Sequence, residues 1–168
     1  ANMSDVFFDE LELPKPDVNL EVGSGTHAGQ TAQIMLRFEG VLNTYKPDWI
    51  IVPGDVNSTI ACALVASKLG VKIAHVEAGL RSFDRTMPEE INRVLTDQLS
   101  DLLFTPSRDG NENLLREGLS AEKIHFVGNI MIDTLVRLLP KAEGRWPALK
   151  EQFCLNRYIL ATFHRPSN

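Results

Sequence analysis

The feature that most constrains the fold is a regular alternation of short apolar segments with helical ones. Residues 49–52 form a continuous apolar run of β-type residues, the pattern of a strand buried on both faces. A turn follows at 54–58, then an Ala-rich helix from about 58 to 69 that ends at Gly70, and a second strand at 71–76. Strands alternating with helices predict a parallel sheet.

The same alternation continues along the rest of the chain. Pro88 opens a helix, because its fixed φ suits the first helical position and acidic residues follow it. We therefore predict the α/β class, a Rossmann-like parallel sheet with helices on both faces. Its remaining elements are helices near 3–12, 28–45, 108–117 and 130–139 and strands near 102–104 and 124–127.

Residues 140–150 interrupt this pattern with two prolines, a glycine and mixed charges, so we interpret them as a linker. A short helix near 147–153 and a strand at 158–163 would begin another domain. The predicted organisation is an incomplete N-terminal Rossmann-like domain over 1–139. The interdomain linker and the start of a C-terminal nucleotide-binding domain follow over 140–168. The chain opens within a helical pattern and stops just after a strand, so we interpret it as a fragment of a longer protein.

Charge and cysteine content narrow the classes of partner. The net charge of −5, without a basic run, argues against nucleic acid and anionic membranes as partners. No apolar run approaches the ~18 residues of a membrane span and no signal peptide is evident, so a cytoplasmic location is expected. Cys62 and Cys154 lack metal-ligand spacing and are interpreted as buried thiols in a reducing compartment. We expect neither a metal nor a cofactor.

Ligands of parallel sheets bind at the carboxyl ends of the strands, so polar residues that follow strands are the candidates for a site. Loops on a rigid scaffold are also where function concentrates. The residues that follow predicted strands are Asp55, Glu77, Ser107, Gly128, Asn129 and His164.

Each candidate carboxylate also has a purely structural interpretation. Asp55, like its neighbours, could cap the next helix, and Glu77 could pair with Arg81 or Arg85. A favourable charge at a helix N-terminus explains either Glu89 or Glu90, but not both. If Asp55, Glu77 and Glu89 converge at one sheet edge, their pKa values are pushed apart, as removing and returning a proton requires.

Three histidines differ in their expected roles. His164, beside Arg165, could bind a phosphate or act as an acid if it faces the cleft, and is otherwise a surface residue. His75 lies within a strand and is expected in the core. His27 and Gln30 follow a Gly-rich loop that lacks the phosphate-binding glycine motifs, so a phosphate role there is weakly supported.

Taken together, these segments resemble the non-hydrolysing UDP-N-acetylglucosamine 2-epimerases, in that family's order and over nearly the whole chain. The most specific are His-Val-Glu-Ala-Gly-Leu-Arg at 75–81 and Pro-Glu-Glu-Ile-Asn-Arg at 88–93. The others are Gly-Asp-Val-Asn-Ser-Thr at 54–59, Gly128-Asn129 with Asp133-Thr134, and His164-Arg165.

The resemblance implies a two-domain fold of the glycosyltransferase B type with its active site in the cleft between the domains. It also implies inversion at C2 of the sugar through elimination and re-addition of UDP, without a nicotinamide or metal, in polysaccharide precursor synthesis. Carried over by motif, Asp55, Glu77 and Glu89 match the family's acid/base carboxylates, and His164 matches its histidine near the diphosphate. Substrate contacts are assigned to Arg81, Arg165 and Asn129.

Further expectations also come from the resemblance alone. Gln30 and His27 lie where some bacterial members bind a second, activating UDP-N-acetylglucosamine, and the full-length protein is expected to be a homodimer. The family's opening strand and most of its nucleotide-binding domain are missing from this sequence, so we expect the fragment to be inactive alone. His-Arg-Pro-Ser-Asn at 164–168 also departs from the family's usual His-Arg-Glu pattern.

Three alternatives remain open at this point. A hydrolysing relative would release free N-acetylmannosamine and UDP from the same kind of cleft. A non-catalytic sugar-nucleotide-binding fragment would bind without turnover, and a glycosyltransferase of the same architecture would need an acceptor. The sequence separates the hydrolysing relative from the non-hydrolysing epimerase only by the closeness of its motifs to each.

Overall fold

The computed structural model describes residue 8 and residues 11–162. The helix predicted near 3–12 therefore falls mostly outside the described residues. The chain divides into two compact units, residues 1–128 and 129–168, and each is described by itself.

The first unit contains a four-stranded, fully parallel sheet in the order β1-β2-β3-β4. The predicted α/β class with a parallel sheet is confirmed. In this order each new strand is added beside the preceding one, as βαβ units with short connections produce. The strands are β1 (Trp49–Pro53), β2 (Lys72–Val76), β3 (Leu102–Thr105) and β4 (Ile124–Phe126).

The helices of this unit begin and end where local chemistry predicts. At the start of α1, the Thr26 hydroxyl accepts a hydrogen bond from the Gly29 amide at 3.1 Å. Gly70 ends α2 with a φ of 71°, a left-handed conformation that glycine adopts without strain, and Pro88 starts α3. The helices are α1 (His27–Tyr45), α2 (Asn57–Leu69), α3 (Pro88–Leu99) and α4 (Arg108–Arg116), with a 3-10 turn at Ala121–Lys123.

The two faces of β1 differ in burial. Ile50 and Val52 are buried with Leu42 of α1 and Ala66 of α2, whereas Ile51, on the opposite face, is 69% exposed. The prediction that this strand is buried on both faces is therefore wrong for Ile51. An apolar run does not reveal whether both faces are covered, because the covering elements come from elsewhere in the chain.

The two thiols lie in different surroundings, so their reactivities should differ. Burial raises the pKa of Cys62 to about 11, and Cys154 is exposed. The thiolate is the reactive form, so near pH 8 we expect Cys154 to be alkylated at least ~100-fold faster than Cys62. Mass spectrometry of iodoacetamide-treated protein measures both rates. Denaturant should make them similar, and equal rates in the native protein would contradict the burial of Cys62.

The second unit is built on one helix, α5 (Ile130–Gln152). The side chain of Asn129 caps it by accepting a hydrogen bond from the Met131 amide at 2.9 Å. Residues 140–150, predicted as a linker, are helical, so this prediction is wrong. Pro140 and Pro147 lie inside the helix, which lacks the backbone hydrogen bonds that these two residues cannot donate.

No separate helix begins near 147, and residues 158–162 of the predicted strand are irregular. The domain boundary at 139 stays a prediction. Within the described ranges, no helix is long and apolar enough to cross a membrane.

Candidate functional site

Asp55 and Glu77 follow adjacent strands at the carboxyl edge of the sheet. The Gly54 amide donates to the Val76 carbonyl at 3.0 Å, which ties together the ends of β1 and β2. A Cβ atom placed on Gly54 would lie 3.8 Å from Oε2 of Glu77. The turn that carries Asp55 is therefore in contact range of the Glu77 carboxylate, as the rule for parallel sheets predicts.

Side chains of α3 hold Asp55 from the other side. The Arg93 guanidinium forms an ion pair with the Asp55 carboxylate, and Nδ2 of Asn92 donates to the Asp55 carbonyl at 2.9 Å. The N-cap residue of α2 is Val56, without a side-chain cap, so the interpretation of Asp55 as a helix cap is wrong.

Glu77 has an unusual backbone and no structural partner among the described residues. Its φ of 71° is left-handed, which costs a residue with a side chain on the order of 1 kcal/mol and occurs preferentially at functional sites. Over the described ranges, its carboxylate forms no ion pair or hydrogen bond, so the predicted pairing with Arg81 or Arg85 is absent. Glu77 is half-buried and available to a ligand.

Neighbouring Glu89 and Glu90 are separated by their contacts. Glu90 is 3% exposed and accepts hydrogen bonds from the amides of Ser82 and Phe83 at 2.9 and 3.0 Å. It also pairs with Arg93 at 3.0 Å. Glu89 is half-buried and has no such partner among the described residues. Glu90 is thus the structural carboxylate of the pair, and Glu89 is the candidate for chemistry.

The environment of Glu90 makes the stability of the protein depend on pH. Burial alone would raise the pKa of Glu90, but the hydrogen bonds from Ser82 and Phe83 and the charge of Arg93 hold it below the ordinary 4.5. The folded state thus binds fewer protons than the unfolded state. The stabilisation is fully present above the unfolded pKa and is lost as pH falls through the folded one.

We therefore expect Glu90→Gln to flatten the loss of stability between about pH 6 and about pH 3, besides lowering stability at neutral pH. Urea unfolding at several pH values measures this. Glu112→Gln is the control, because the side chain of Glu112 is 63% exposed. Its free energy of unfolding should keep the wild-type pH dependence. An unchanged pH slope in Glu90→Gln would contradict the prediction.

A cavity of about 150 Å³ adjoins this edge. A chain of amides borders it: Nδ2 of Asn57 donates to Oε1 of Gln30 at 2.7 Å, and Oδ1 of Asn57 lies 3.2 Å from Nδ1 of His27. The structure therefore places Gln30 and His27 on the same cavity as Glu89. The lining residues are His27, Gln30, Val56, Asn57, Pro88, Glu89 and Asn92.

The buried side chain of Arg81 forms ion pairs with two carboxylates. Its side chain is 1% exposed and contacts Asp97 at 2.7 Å and Glu117 at 2.6 Å. Burial alone would lower the pKa of Arg81, but Glu117 and Asp97 outweigh it and raise the value above the ordinary one. A direct contact between Arg81 and a substrate would require these ion pairs to break.

The remaining predicted site residues belong to other elements, to the second unit or to the part of the chain outside the described residues. Asn129 belongs to the second unit, where its side chain caps α5. The Ser107 hydroxyl, after β3, is buried and has no hydrogen-bond partner within residue 8 and residues 11–162. His164 and Arg165 lie outside the described residues. No group of three metal-ligating side chains occurs in residue 8 or residues 11–162.

Sequence reasoning missed three residues that shape the site. Arg93 and Asn92 were part of a noted motif but received no role. Asp97 also received no role, although it is fully buried and accepts from the Gly79 amide at 3.1 Å. The one available hint was that a helix with an acidic residue facing buried strands must pair it with a cation.

A sequence profile described as UDP-N-acetylglucosamine 2-epimerase matches residues 1–168. The chain belongs to this family. Its UDP-N-acetylglucosamine 2-epimerase relative in Methanococcus maripaludis is 51% identical over 99% of this chain. A Pseudomonas aeruginosa relative named UDP-2,3-diacetamido-2,3-dideoxy-D-glucuronate 2-epimerase is 47% identical over the whole chain. The chain spans about half the length of these curated relatives, 46% and 47%.

Solved structures of the epimerase family share the fold. The Methanocaldococcus jannaschii UDP-GlcNAc 2-epimerase, crystallised with UDP-GlcNAc and UDP, matches with a TM-score of 0.81 and 55% identity. The match covers 83% of this chain and 38% of that one. The parallel sheet described above is thus part of the glycosyltransferase-B-type architecture of these epimerases.

Proposed function

We propose that this chain supplies the acid/base carboxylates of an enzyme that interconverts UDP-N-acetylglucosamine and UDP-N-acetylmannosamine without hydrolysis. The observation that carries the proposal is the grouping of Asp55, Glu77 and Glu89 around one sheet edge. Asp55 and Glu77 end adjacent strands, and Glu89 lines a cavity with Val56 and Asn57, which directly follow Asp55.

The surroundings of these three carboxylates are compatible with proton transfer at carbon. Glu77 and Glu89 carry no ion pair in the described part of the chain, so they can exchange protons without losing a structural contact. Asp55 is held in one orientation by Arg93. Inversion at C2 requires one group to take the proton and another to return it on the opposite face, and positioned carboxylates perform both steps.

The elimination step needs stabilisation of the departing UDP. His164 and Arg165 are proposed to contact the diphosphate, because cationic donors stabilise the charge that develops on a leaving phosphate. Asn129 is proposed as a further substrate contact, and Arg81 would become one only if its ion pairs with Asp97 and Glu117 broke. Gln30 and His27, on the cavity beside Glu89, are proposed to bind a second UDP-N-acetylglucosamine that activates the enzyme. The full-length protein is proposed to act as a cytoplasmic homodimer.

The Pseudomonas relative supports a second candidate substrate. Its name specifies a UDP-linked diacetamido uronate, and it is almost as similar to this chain as the Methanococcus relative, 47% against 51% identical. The same carboxylates would invert C2 of either sugar. The two candidates differ at C3 and C6, and a comparison of kcat/KM for the two substrates decides between them.

The test uses a completed protein, made by joining this chain to the remaining residues of the M. maripaludis relative. Proton NMR in D2O should show deuterium at C2 of UDP-N-acetylglucosamine and the UDP-linked manno epimer. Free N-acetylmannosamine with UDP would instead establish a hydrolysing enzyme. Binding without deuterium exchange would overturn the epimerase proposal and leave a nucleotide-sugar-binding function.

In the same assay, we expect no epimerisation by the 168-residue chain alone, because it spans about half of its relatives' length. Turnover by the chain alone at the rate of the completed protein would contradict this.

A further inference from the structure

A buried His75–Asp97 pair contacts the two turns that carry the carboxylates following β1 and β2. Both side chains are 0% exposed, and Nδ1 of His75 lies 2.6 Å from Oδ1 of Asp97. His75 lies in the core, as its position within a strand predicts, and the proposed reaction uses neither residue. A polar pair this deeply buried is retained at a desolvation cost, so its contacts are informative.

His75 fixes the peptide that precedes Asp55. Its Nε2 lies 2.8 Å from the Gly54 carbonyl oxygen, which can only accept, so Nε2 donates. The amide of Gly54 is already bound to the Val76 carbonyl at 3.0 Å. Both polar atoms of Gly54, whose φ is 67°, are therefore fixed, and the direction in which Asp55 leaves the strand is set.

Asp97 fixes the backbone that follows Glu77. Its Oδ2 accepts from the Gly79 amide at 3.1 Å and contacts Arg81 at 2.7 Å. Gly79 is further confined by Gly110, since a Cβ on Gly79 would lie 2.4 Å from the Gly110 carbonyl oxygen. The left-handed conformation of Glu77 is thus held between β2 and an anchored turn.

We propose that the His75–Asp97 pair is a positioning device that sets the separation of the Asp55 and Glu77 carboxylates for proton transfer at C2. The inference rests on the proposed function. The imidazole ring of His75 connects the two turns. Its Nε2 contacts the turn before Asp55, and its Nδ1 contacts Asp97, which binds the turn after Glu77. His75 touches no substrate in this role.

Two amide substitutions remove the two contacts of His75, with Asp97 and with Gly54, one at a time. In His75→Gln, the side-chain amide nitrogen lies where Nε2 was and can still donate to the Gly54 carbonyl, but the contact with Asp97 is lost. In His75→Asn, the amide nitrogen replaces Nδ1 and can donate to Asp97, but Gly54 is released. Both variants place an uncharged amide side chain in the same buried position.

The experiment measures kcat, KM and the unfolding midpoint of the completed protein and its variants. Because a misplacement of ~1 Å costs on the order of 100-fold in rate, we expect His75→Asn to lower kcat about 100-fold and His75→Gln less than about 10-fold. KM should change less than about threefold in both. Glu112→Gln, on the exposed face of α4, should behave as wild type.

Wild-type kcat in both folded variants, even with a lowered unfolding midpoint, would show a purely structural role and overturn the proposal. If His75→Asn does not fold, Asp97→Asn is measured instead. It should lower kcat at least ~10-fold, and an unchanged kcat again overturns the positioning role. Absence of C2 exchange in the unmodified completed protein would overturn the proposed function and this inference together. If the unmodified protein does exchange C2, a wild-type kcat in the His75 variants counts against the positioning role alone.

Discussion

Replacing Glu77 by glutamine is expected to lower the rate of C2 deuterium exchange in the completed protein by about 10²–10⁴-fold. Glutamine has nearly the same shape as glutamate but cannot take or return a proton. Glu77 forms no ion pair or hydrogen bond with the described residues, so the substitution should leave the fold intact. Proton NMR of the sugar measures the exchange rate, and urea unfolding checks the fold.

The matched control for Glu77→Gln is Glu112→Gln, the same substitution at an exposed helical position. It should retain wild-type exchange. Full exchange in a folded Glu77→Gln protein would remove Glu77 from the acid/base set. Asp55→Asn is less informative, because Arg93 would lose its carboxylate partner and stability would change as well.

Replacing Arg81 by leucine is expected to destabilise the protein by about 3–5 kcal/mol. The side chain of Arg81 is 1% exposed and that of Asp97 is 0% exposed, so the substitution leaves a buried carboxylate without its cation. Breaking a buried pair costs more than the pair contributes, because the remaining charge cannot reach water. Urea unfolding of the 168-residue chain and of the completed protein measures the loss.

Arg116→Leu provides the comparison for Arg81→Leu. Arg116 is also paired with a glutamate, but its side chain is 71% exposed, so its removal should cost less than about 1 kcal/mol. Equal losses in the two variants would contradict the account of Arg81 as a member of a desolvated network. A loss confined to Arg81→Leu would support it.

Local sequence chemistry predicted most of the first unit. The apolar runs at β1 and β2, Gly70 after α2 and Pro88 at the start of α3 each act within a few residues, and these elements form where expected. Local chemistry failed in the second unit. Prolines at 140 and 147 predicted a break, yet α5 continues through both, since a helix can accept a proline at the cost of a few backbone hydrogen bonds.

The placement of the candidate carboxylates was predictable in outline and not in detail. Parallel strand ends brought Asp55 and Glu77 together as the sheet rule requires. Pattern alone gave no means to choose between Glu89 and Glu90, because both lie in the first turn of α3. The choice depends on the Ser82–Phe83 amides and on the direction in which each side chain leaves the helix.

The sequence by itself determined the order of strands and helices in the first unit, the family of the chain and the sheet edge at which Asp55 and Glu77 lie. These follow from periodicity, caps and motifs, which are properties of neighbouring residues. Only the tertiary structure decided that Arg81 pairs with Asp97 and Glu117. It also decided that Arg93 pairs with Asp55 and that His75 forms a hydrogen bond with the Gly54 carbonyl. These contacts join residues far apart in the chain, and a local pattern carries no information about which distant side chain will neutralise a buried charge.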